Sequence, residues 1–451
     1  MISTSVAAST VAASHFDFTK LNTGDTSWVL ASSALVLLMT PGLAFFYAGM
    51  VRRKNVLGML MQNYATIAIV SLVWVLVSFS LAFGAGDGFV GWFHFAGLQH
   101  MNEILPGYDT STIPPIVFAI FQMMFAIITP ALITGSTADR WRFASFVPFI
   151  VIWSIFVYGP IAHWVFAPGG WLFKWGALDF AGGTVVHINA GTAGLVIALM
   201  LGKRRGWPKE QMRPHNVPFV LLGAALLWFG WFGFNAGSAL GANNLAGYAF
   251  VNTNTATAAA LLGWIAVEKF RYGKPTTLGA ASGAVAGLVA ITPAAGFVSP
   301  MGSILIGVLA GGGCAFAISL KSKFGFDDSL DVVGVHLVGG IIGSLCVGLL
   351  STVDTNAAGT DGLFYGGGFT LLGKQAVAVV CVIGYCAVMT FIIMKVIGLF
   401  TNNRVTEEDE ITGLDLALHG ESAYEFGAAG GLAHREDVPA EAGPANSEVT
   451  V

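Results

Sequence analysis

The sequence predicts an all-α polytopic membrane protein with eleven transmembrane helices. Of its 451 residues, 55% are hydrophobic and only 10% are charged, whereas a soluble domain usually carries about 25% charged residues. Long apolar stretches recur along the chain, and a protein with so little charge lacks the polar surface that water requires. The net charge of −4 identifies no partner, because it averages over two sides of a membrane.

Each predicted span is long enough to cross a bilayer, which takes about 20 residues. The eleven spans lie near residues 28–50, 58–84, 115–138, 143–166, 181–202, 216–239, 245–268, 277–295, 301–320, 332–351 and 375–400. Residues 1–27 form a polar, extracytoplasmic segment that lacks the basic start and apolar core of a signal peptide. We therefore expect residues 28–400 to form one domain within the lipid bilayer.

Basic residues alternate regularly between the loops. All but three of the 21 Lys and Arg residues fall on one side of the predicted bundle, and the exceptions are Lys20, Lys174 and Lys374. The positive-inside rule assigns the basic side to the cytoplasm. The N-terminus is then outside and the C-terminus inside, which an odd number of helices also requires. We expect a multi-pass protein of the cell's inner (cytoplasmic) membrane.

One motif occurs twice: an aspartate, a histidine eight positions later, and two glycines four and seven positions after the histidine. Its copies are Asp179, His187, Gly191, Gly194 and Asp328, His336, Gly340, Gly343. A histidine inside a membrane helix is costly to desolvate and is a functional-site candidate. A duplicated one suggests two matching halves with a site where they meet, which is typical of a transporter or channel.

The motif places one histidine on the fifth predicted helix and one on the tenth. The halves, about 28–202 and 216–351, would contain five helices each, so the second would enter the membrane from the opposite side. The repeat is then inverted, with the helix at 375–400 left over. Both histidines could reach a pore axis near mid-membrane, where a facing pair of neutral imidazoles shares a hydrogen bond and still presents polar edges. The alternative for each histidine is ordinary packing.

Other polar and aromatic residues permit two interpretations each. Asp179 precedes the fifth helix, where a carboxylate can cap the orphan backbone N–H groups, and direct cation binding is the alternative. The sixth helix carries Trp231, Phe234 and Ser238, and the third carries Phe121, Gln122 and Phe125. Aromatic faces attract cations and Ser adds an acceptor, which would suit a vestibule followed by an apolar gate. Packing is the alternative here too.

The sequence contains no catalytic signature. His-Glu-x-x-His, Gly-x-Ser-x-Gly and the Lys-Ser/Thr phosphate loop are all missing, so we predict that the chain is not an enzyme. We expect no cofactor, no metal ion and no nucleic-acid partner. The four cysteines lie in apolar stretches without metal-ligand spacing, which indicates small buried side chains rather than a disulfide.

The segment DFAGGTVVHINAGTAGLVIALMLGKR at 179–204 resembles the signature of the ammonium transporter family (Amt/Mep/Rh), in its bacterial Amt branch. Further segments look like family segments: PGLAFFYAGMVRRKN at 41–55, GWFGFNAGSA at 230–239, AFVNT at 249–253, DVVGVHLVGG at 331–340 and GLDLALHGESAY at 413–424. The resemblance covers roughly residues 28–424. It implies an eleven-helix fold with the five-plus-five inverted repeat, assembled as a homotrimer with one pore per subunit.

The resemblance also implies roles for individual residues. His187 and His336 resemble the twin-histidine pair of the pore, and Asp179 resembles the essential aspartate under the external ammonium site. Ser238 resembles the serine of that recruitment site. The remaining pore residues are the stacked gate of Phe125 and Phe234, the second helix 3 aromatic Phe121 with its neighbour Gln122, and the pore-lining Trp231.

One position departs from the family pattern. The recruitment site usually includes a tryptophan before the helix 5 signature, and the simplest alignment places Phe166 there, flanked by Trp164 and Trp171. A phenyl ring is a weaker cation–π partner than indole. The recruitment site is then weaker, or another tryptophan fills the role.

The C-terminal tail, 401–451, is expected in the cytoplasm, with 425–451 disordered because it is rich in Ala, Gly, Pro and Glu. The segment 413–424 is expected to dock on the cytoplasmic face, where the resemblance implies a PII-type signal protein as partner. The predicted function is ammonium/ammonia transport, with methylammonium as an analogue. The alternatives are an ammonium sensor acting through its tail and a neutral-gas channel of Rh type.

Overall fold

The computed structural model describes residues 14–424. Within this range the regular structure is helical, and strand pairing is limited to isolated bridges such as Gly86 with Gly91. The protein is thus an all-helical membrane protein, as the sequence predicts. The stretch 425–451, predicted to be disordered, lies outside the described residues.

Within residues 14–424, ten helices are long and apolar enough to cross a membrane, and a shorter apolar helix, α8, lies between two of them. The helices are α1 Thr23–Met50, α2 Arg53–Phe83, α3 Pro115–Thr137, α4 Phe143–Trp175, α5 Gly183–Leu201, α6 Val217–Gly237, α7 Asn244–Tyr272, α8 Thr277–Ile291, α9 Pro300–Phe324, α10 Val333–Leu350 and α11 Thr370–Ile397. In α4 the backbone is extended at Ala167 before the last short turn. Each of the eleven overlaps one predicted span, including the eighth at 277–295.

Short polar side chains begin several of these helices. Each accepts a hydrogen bond from the backbone N–H three residues ahead, which satisfies one of the orphan donors of the first turn. The capping residues are Asn22 for α1, Asn216 for α6, Asn243 for α7, Thr276 for α8 and Ser299 for α9. The sequence therefore marks these helix starts with its polar residues.

Glycine lets pairs of helices approach until their backbones touch. A Cβ at Gly223 of α6 would lie 2.3 Å from the backbone N of Phe46 in α1, and one at Gly307 of α9 would lie 2.3 Å from the Ala256 carbonyl of α7. Such contacts leave no space for a larger residue. They account for part of the high glycine content of the chain, because small residues allow close packing in lipid.

One end of the bundle carries a buried network of charges, and we call it the basic end. Arg204 lies 2.8 Å from Asp327 and 3.6 Å from Asp139, and Arg52 lies 3.1 Å from Asp139. Burial alone would raise the pKa of Asp327, but the hydrogen bonds and charge of Arg204 outweigh burial and lower it. The network joins the loops after α1, α3, α5 and α9, so it fixes the helix ends relative to one another.

The described part of the tail packs on the basic end through two short helices, α12 Glu407–Thr412 and α13 Leu414–His419. Asn55 accepts a hydrogen bond from the Leu414 N–H at 2.8 Å, and Asp415 accepts one from the Gly58 N–H at 2.8 Å. Glu410 binds the Arg404 guanidinium at 2.9 Å. The segment 413–424 therefore packs on the bundle, and its position in the cytoplasm stays a prediction.

Candidate functional site

Asp179 lies at the start of α5 and binds its first turn. Its carboxyl oxygens accept hydrogen bonds from the N–H groups of Gly182, Gly183 and Thr184 at 2.7–2.8 Å, and from the Thr184 hydroxyl. Burial raises the pKa of Asp179, and these hydrogen bonds oppose that effect. The three N–H groups can only donate, so both carboxyl oxygens act as acceptors, which favours the ionised form. The residue thus has the capping role that the sequence favours.

Each motif histidine lies in a π-helical turn. His187 belongs to the turn Gly183–Ile188 at the start of α5, and His336 belongs to Val333–Leu337 at the start of α10. π-Helical turns are rare and are frequently found at functional sites. The two copies of the motif therefore share an unusual backbone as well as their spacing.

The two histidines are buried and in contact. Their Nδ1 atoms are 3.4 Å apart, and their rings stack with centroids 5.4 Å apart. One Nδ1 must donate and the other accept, so of the two Nε2 atoms one is an acceptor and the other carries a hydrogen. The Nε2 of His187 has no hydrogen-bond partner among the described residues. The pair therefore offers one donor edge and one acceptor edge to a small polar molecule.

The glycines of each motif copy let the helix of the other copy approach closely. A Cβ at Gly191 would lie 2.5 Å from the backbone N of Leu337, and a Cβ at Gly340 would lie 3.3 Å from the Cβ of His187. The helices run in opposite directions, because α5 ends near Arg204 whereas α10 begins just after Asp327, the partner of Arg204. The motif glycines thus bring the two histidines together at an antiparallel crossing.

Two phenylalanines stack beside His187. Phe125 of α3 and Phe234 of α6 have ring centroids 4.2 Å apart, and the Phe234 ring lies 6.1 Å from the His187 ring. The Trp231 ring also stacks on the His187 ring, with centroids 5.3 Å apart. Its indole N–H donates to the Thr292 hydroxyl at 2.9 Å, which fixes the orientation of the ring. All of these aromatic side chains are buried.

The other predicted residues lie around this stack. Ser238, partly buried, donates its hydroxyl to the Phe234 carbonyl at 2.8 Å, so its oxygen lone pairs stay available as acceptors. Phe121 meets Phe125 edge to face at 5.0 Å. Gln122 is buried, and its side-chain oxygen has no partner among the described residues.

Phe166 lies next to the Asp179 turn. Its Cζ is 3.6 Å from the position of a Cβ at Gly182, and it is partly buried. Trp164 instead packs on Tyr385 of α11, with ring centroids 4.7 Å apart, and donates its N–H to the Phe89 carbonyl at 2.7 Å. Of these two aromatics, the phenylalanine is therefore the one beside the motif.

Asp328 has different surroundings at the basic end. It accepts hydrogen bonds from the N–H groups of Val332 and Val333 at 3.2 and 2.8 Å, so it also caps its helix. Unlike Asp179, it has a cation close by: the Lys321 ammonium donates to the Asp328 carbonyl at 2.9 Å and lies 2.6 Å from Asp331.

Comparison with known proteins identifies the family. The model of the Ammonium Transporter Family matches residues 27–424, which is most of the chain. The chain belongs to the Ammonium Transporter Family. An ammonium transporter of Mycobacterium tuberculosis (strain ATCC 25618 / H37Rv) is 52% identical over 436 residues, covering 90% of this chain and 91% of that protein. The family is one of transporters rather than enzymes.

Solved structures of the same family have a similar fold. Mep2 of Saccharomyces cerevisiae matches with a TM-score of 0.80 at 37% identity, covering 87% of this chain and 90% of Mep2. A structure described as a sensor Amt protein matches with a TM-score of 0.80 at 28% identity, covering 88% of this chain and 98% of that chain. The resemblance drawn from the sequence motifs is thereby confirmed.

Sequence reasoning missed several residues that position the site of this Ammonium Transporter Family member. Thr292 orients Trp231 although 61 residues separate the two, and no motif signals the pairing. Thr184, by contrast, stands inside the first motif copy, and its place five residues after Asp179 could have indicated a second capping bond. The π-helical turns have no recognised sequence signal.

Proposed function

We propose that this chain transports ammonium across the cytoplasmic membrane, with deprotonation near the phenylalanine pair and passage of ammonia along the two histidines. One observation carries the proposal: the candidate residues form an unbroken series of contacts. Ser238 bonds to the Phe234 carbonyl, Phe234 stacks near His187, and His187 stacks on His336. The M. tuberculosis relative is named an ammonium transporter, which supports the same function here.

The proposal includes a topology and an assembly. The chain crosses the membrane eleven times as an inverted five-plus-five repeat, with the N-terminus outside and the basic end in the cytoplasm. The antiparallel crossing of α5 and α10 supports the inversion, and the positive-inside rule supports the orientation. Three subunits assemble as a homotrimer with one pore each, and a PII-type signal protein binds the cytoplasmic face.

Selection takes place at the outer mouth, next to Asp179. Potassium has a similar size to ammonium but has no hydrogen-bond donors, so a site that accepts N–H bonds can discriminate. The hydroxyl lone pairs of Ser238 supply the acceptor, and the rings of Phe125 and Phe166 supply faces that attract a cation. The ionised Asp179 adds a favourable field at this mouth.

The phenylalanine gate makes passage of an intact cation costly. Phe125 and Phe234 are almost fully buried, at 1% and 0% exposed, and their stacked rings offer no polar atom. Desolvating a charge in such surroundings is expensive, so the ion loses its proton at or near the gate. The acceptor Nε2 of the histidine pair takes up this proton, which crosses along the pair separately from the ammonia, so that one charge crosses with each ammonia molecule. Ammonia has one lone pair and three N–H groups, and the donor and acceptor edges of the histidine pair complement both.

The test is the ammonium-evoked current of the protein in proteoliposomes, for wild type beside the double variant His187→Ala/His336→Ala. We expect a wild-type current that is absent in the double variant. His419→Ala, on α13 at the basic end, is the matched histidine control and should keep the current. A double variant with the same current as wild type would contradict passage along the two histidines. Ammonia uptake without current would identify a neutral-gas channel.

An ammonium sensor is the second candidate function. The chain is similar to the sensor Amt protein, and its tail packs on the basic end, where binding inside the pore could change that contact. Wild-type protein that shows neither current nor ammonia uptake, while ammonium still raises its melting temperature, would favour the sensor over the transporter.

A further inference from the structure

Two histidines and a glutamate meet in the loop between α2 and α3, at the end of the bundle opposite the basic end. His94 Nε2 is 2.6 Å from one carboxylate oxygen of Glu103, and His100 Nδ1 is 3.3 Å from the other. The three potential ligand atoms lie within 4.8 Å of one another. The two imidazole rings stack with centroids 4.5 Å apart and an interplanar angle of 13°.

The backbone around this cluster is held in place at several points. His100 adopts a positive φ of 59°, which is unusual for a residue other than glycine. The Glu103 N–H donates to the His100 carbonyl at 2.9 Å and closes the turn. Next to His94, Phe95 is 2% exposed, and its N–H donates to the Ser80 hydroxyl at 2.9 Å. The loop thus positions the three side chains before any ligand binds.

The N-terminal segment adds a fourth candidate ligand. His15 pairs with Glu103 in an antiparallel bridge, in which the Phe16 N–H donates to the Asn102 carbonyl at 2.7 Å and the Ile104 N–H donates to the Ser14 carbonyl at 2.9 Å. His15 is exposed, so its side chain can turn toward the cluster.

The donor set is one that zinc prefers. Two imidazole nitrogens and one carboxylate oxygen are a known set of three protein ligands for Zn²⁺, with a fourth position for water or another ligand. Metal–ligand distances of about 2.0–2.2 Å at tetrahedral angles place ligand atoms roughly 3.3 Å apart. The observed separations bracket this value, and rotation of the two rings out of their stacked arrangement would turn both nitrogen lone pairs toward one ion.

An exposed His–Glu ion pair is the simpler interpretation, but it explains less. One histidine would satisfy a surface carboxylate, and such pairs contribute little to stability. Here a second imidazole is brought to the same carboxylate by a strained backbone and is stacked on the first, an arrangement that two protonated rings would disfavour. A shared cation accounts for both rings and both carboxylate oxygens.

We propose that His94, His100 and Glu103 bind one Zn²⁺-class transition-metal ion per chain, outside the transport path. Metal binding at this site does not require ammonium transport. It lies in the loop that continues to Tyr108, whose hydroxyl donates to the Phe166 carbonyl at 3.1 Å. A bound metal therefore stabilises the segment that reaches the mouth beside Asp179.

The experiment measures zinc binding to the purified full-length protein, without a polyhistidine tag and freed of metal with a chelator. Isothermal titration with zinc chloride should give one ion per chain for wild type. His100→Gln and Glu103→Gln should each weaken binding at least tenfold, because each removes a direct ligand. His15→Gln tests the fourth coordination position. Weaker zinc binding in this variant would assign the position to His15, and unchanged zinc binding would assign it to water.

Two controls keep the result interpretable. His419→Gln, a histidine at the basic end, should bind zinc as wild type does. Where a loop variant does not fold, zinc should protect His94 and His100 of the wild-type protein from diethylpyrocarbonate, read by mass spectrometry. Zinc binding of equal strength in wild type, His100→Gln and Glu103→Gln, or no protection of these histidines, would overturn the proposal.

Discussion

The two copies of the Asp–His motif share their spacing and their π-helical histidine turns, but their aspartates differ in electrical surroundings. Beside Asp328, the protein supplies its own cation, Lys321, which also binds Asp331 at 2.6 Å. Asp179 has no ion-pair partner among the described residues and is held by backbone N–H groups and Thr184. The same motif thus has a lysine beside its aspartate at one mouth and leaves an unbalanced negative charge at the other. The unbalanced charge lies where the proposed function requires a cation to be collected.

The largest expected effect comes from breaking the charge balance at the basic end. Asp327→Asn leaves Arg204, which is 5% exposed, without its closest carboxylate. Removing one partner of a buried ion pair costs about 3–5 kcal/mol. We expect a clear drop in the melting temperature in detergent. The exposed Asp354→Asn is the control and should melt as wild type.

The pH dependence of this effect has a definite sign. Because Arg204 lowers the pKa of Asp327 in the folded protein, the ionised carboxylate stabilises the fold above its unfolded pKa of about 3.9. That stability is lost as the pH falls through the lower, folded pKa. The difference between wild type and Asp327→Asn should therefore be constant near neutral pH and shrink only in acid. A difference that shrinks between pH 6 and 8 would contradict the ion pair as its source.

The second effect tests the contrast between the two aspartates directly. Asp179→Asn removes the unbalanced charge and places an amide donor against backbone N–H groups, so we expect methylammonium uptake to fall about 100-fold, equivalent to ~2.7 kcal/mol. Asp328→Asn should reduce uptake less than tenfold, because the ion pair of Lys321 with Asp331 stays at that mouth when the Asp328 charge is removed. Equal losses of initial uptake rate in the two variants would remove the distinction drawn between the two mouths.

The third effect concerns the crossing of the two copies. Gly191→Ala places a Cβ 2.5 Å from the Leu337 backbone, and such overpacking costs about 1–3 kcal/mol. We expect a lower melting temperature and reduced uptake, since the histidine contact lies at this crossing. Gly384→Ala on α11, where nothing lies within 4 Å of the added Cβ, is the matched control. If both alanines behave alike, the close approach of α5 and α10 is not what positions the histidines.

The smallest expected effect concerns the aromatic ring beside Asp179. Phe166→Trp restores an indole beside the Asp179 turn, and the stronger cation–π attraction is worth about 0.5–1 kcal/mol. We expect the methylammonium concentration for half-maximal uptake to fall roughly two- to fivefold. The exposed Trp175→Phe serves as control. An unchanged half-maximal concentration in Phe166→Trp would mean that this ring does not contact the ion.

The fold class and the pairing of the motif copies were predictable from the sequence because they depend on local and periodic signals. Apolar length gives the spans, and the Asp–His spacing recurs with its glycines, so the contact of His187 with His336 follows from two similar halves. The family resemblance, rather than the spacing, gave Phe125, Phe234 and Ser238 their expected roles. Those roles, the homotrimer and the signal protein remain predictions.

The features that could not be predicted arise from contacts between distant segments. The hydrogen bond of Trp231 to Thr292 joins α6 to the end of α8, and the Arg204–Asp327 pair joins the loops after α5 and α9. Neither pairing has a sequence spacing that distinguishes it from many others. The cluster of His94, His100 and Glu103 depends on a backbone turn at positive φ, which composition does not reveal.

The π-helical turns at the two histidines set how far the chain can be lengthened or shortened there. A π-helical turn contains one residue more than an α-helical turn, so each motif copy carries a surplus residue relative to a regular helix. Both copies keep the same interval between aspartate and histidine, with the surplus in the turn that holds the histidine. The loss or gain of one residue in either turn would therefore rotate its histidine by about 100° around the helix and carry it away from the other ring.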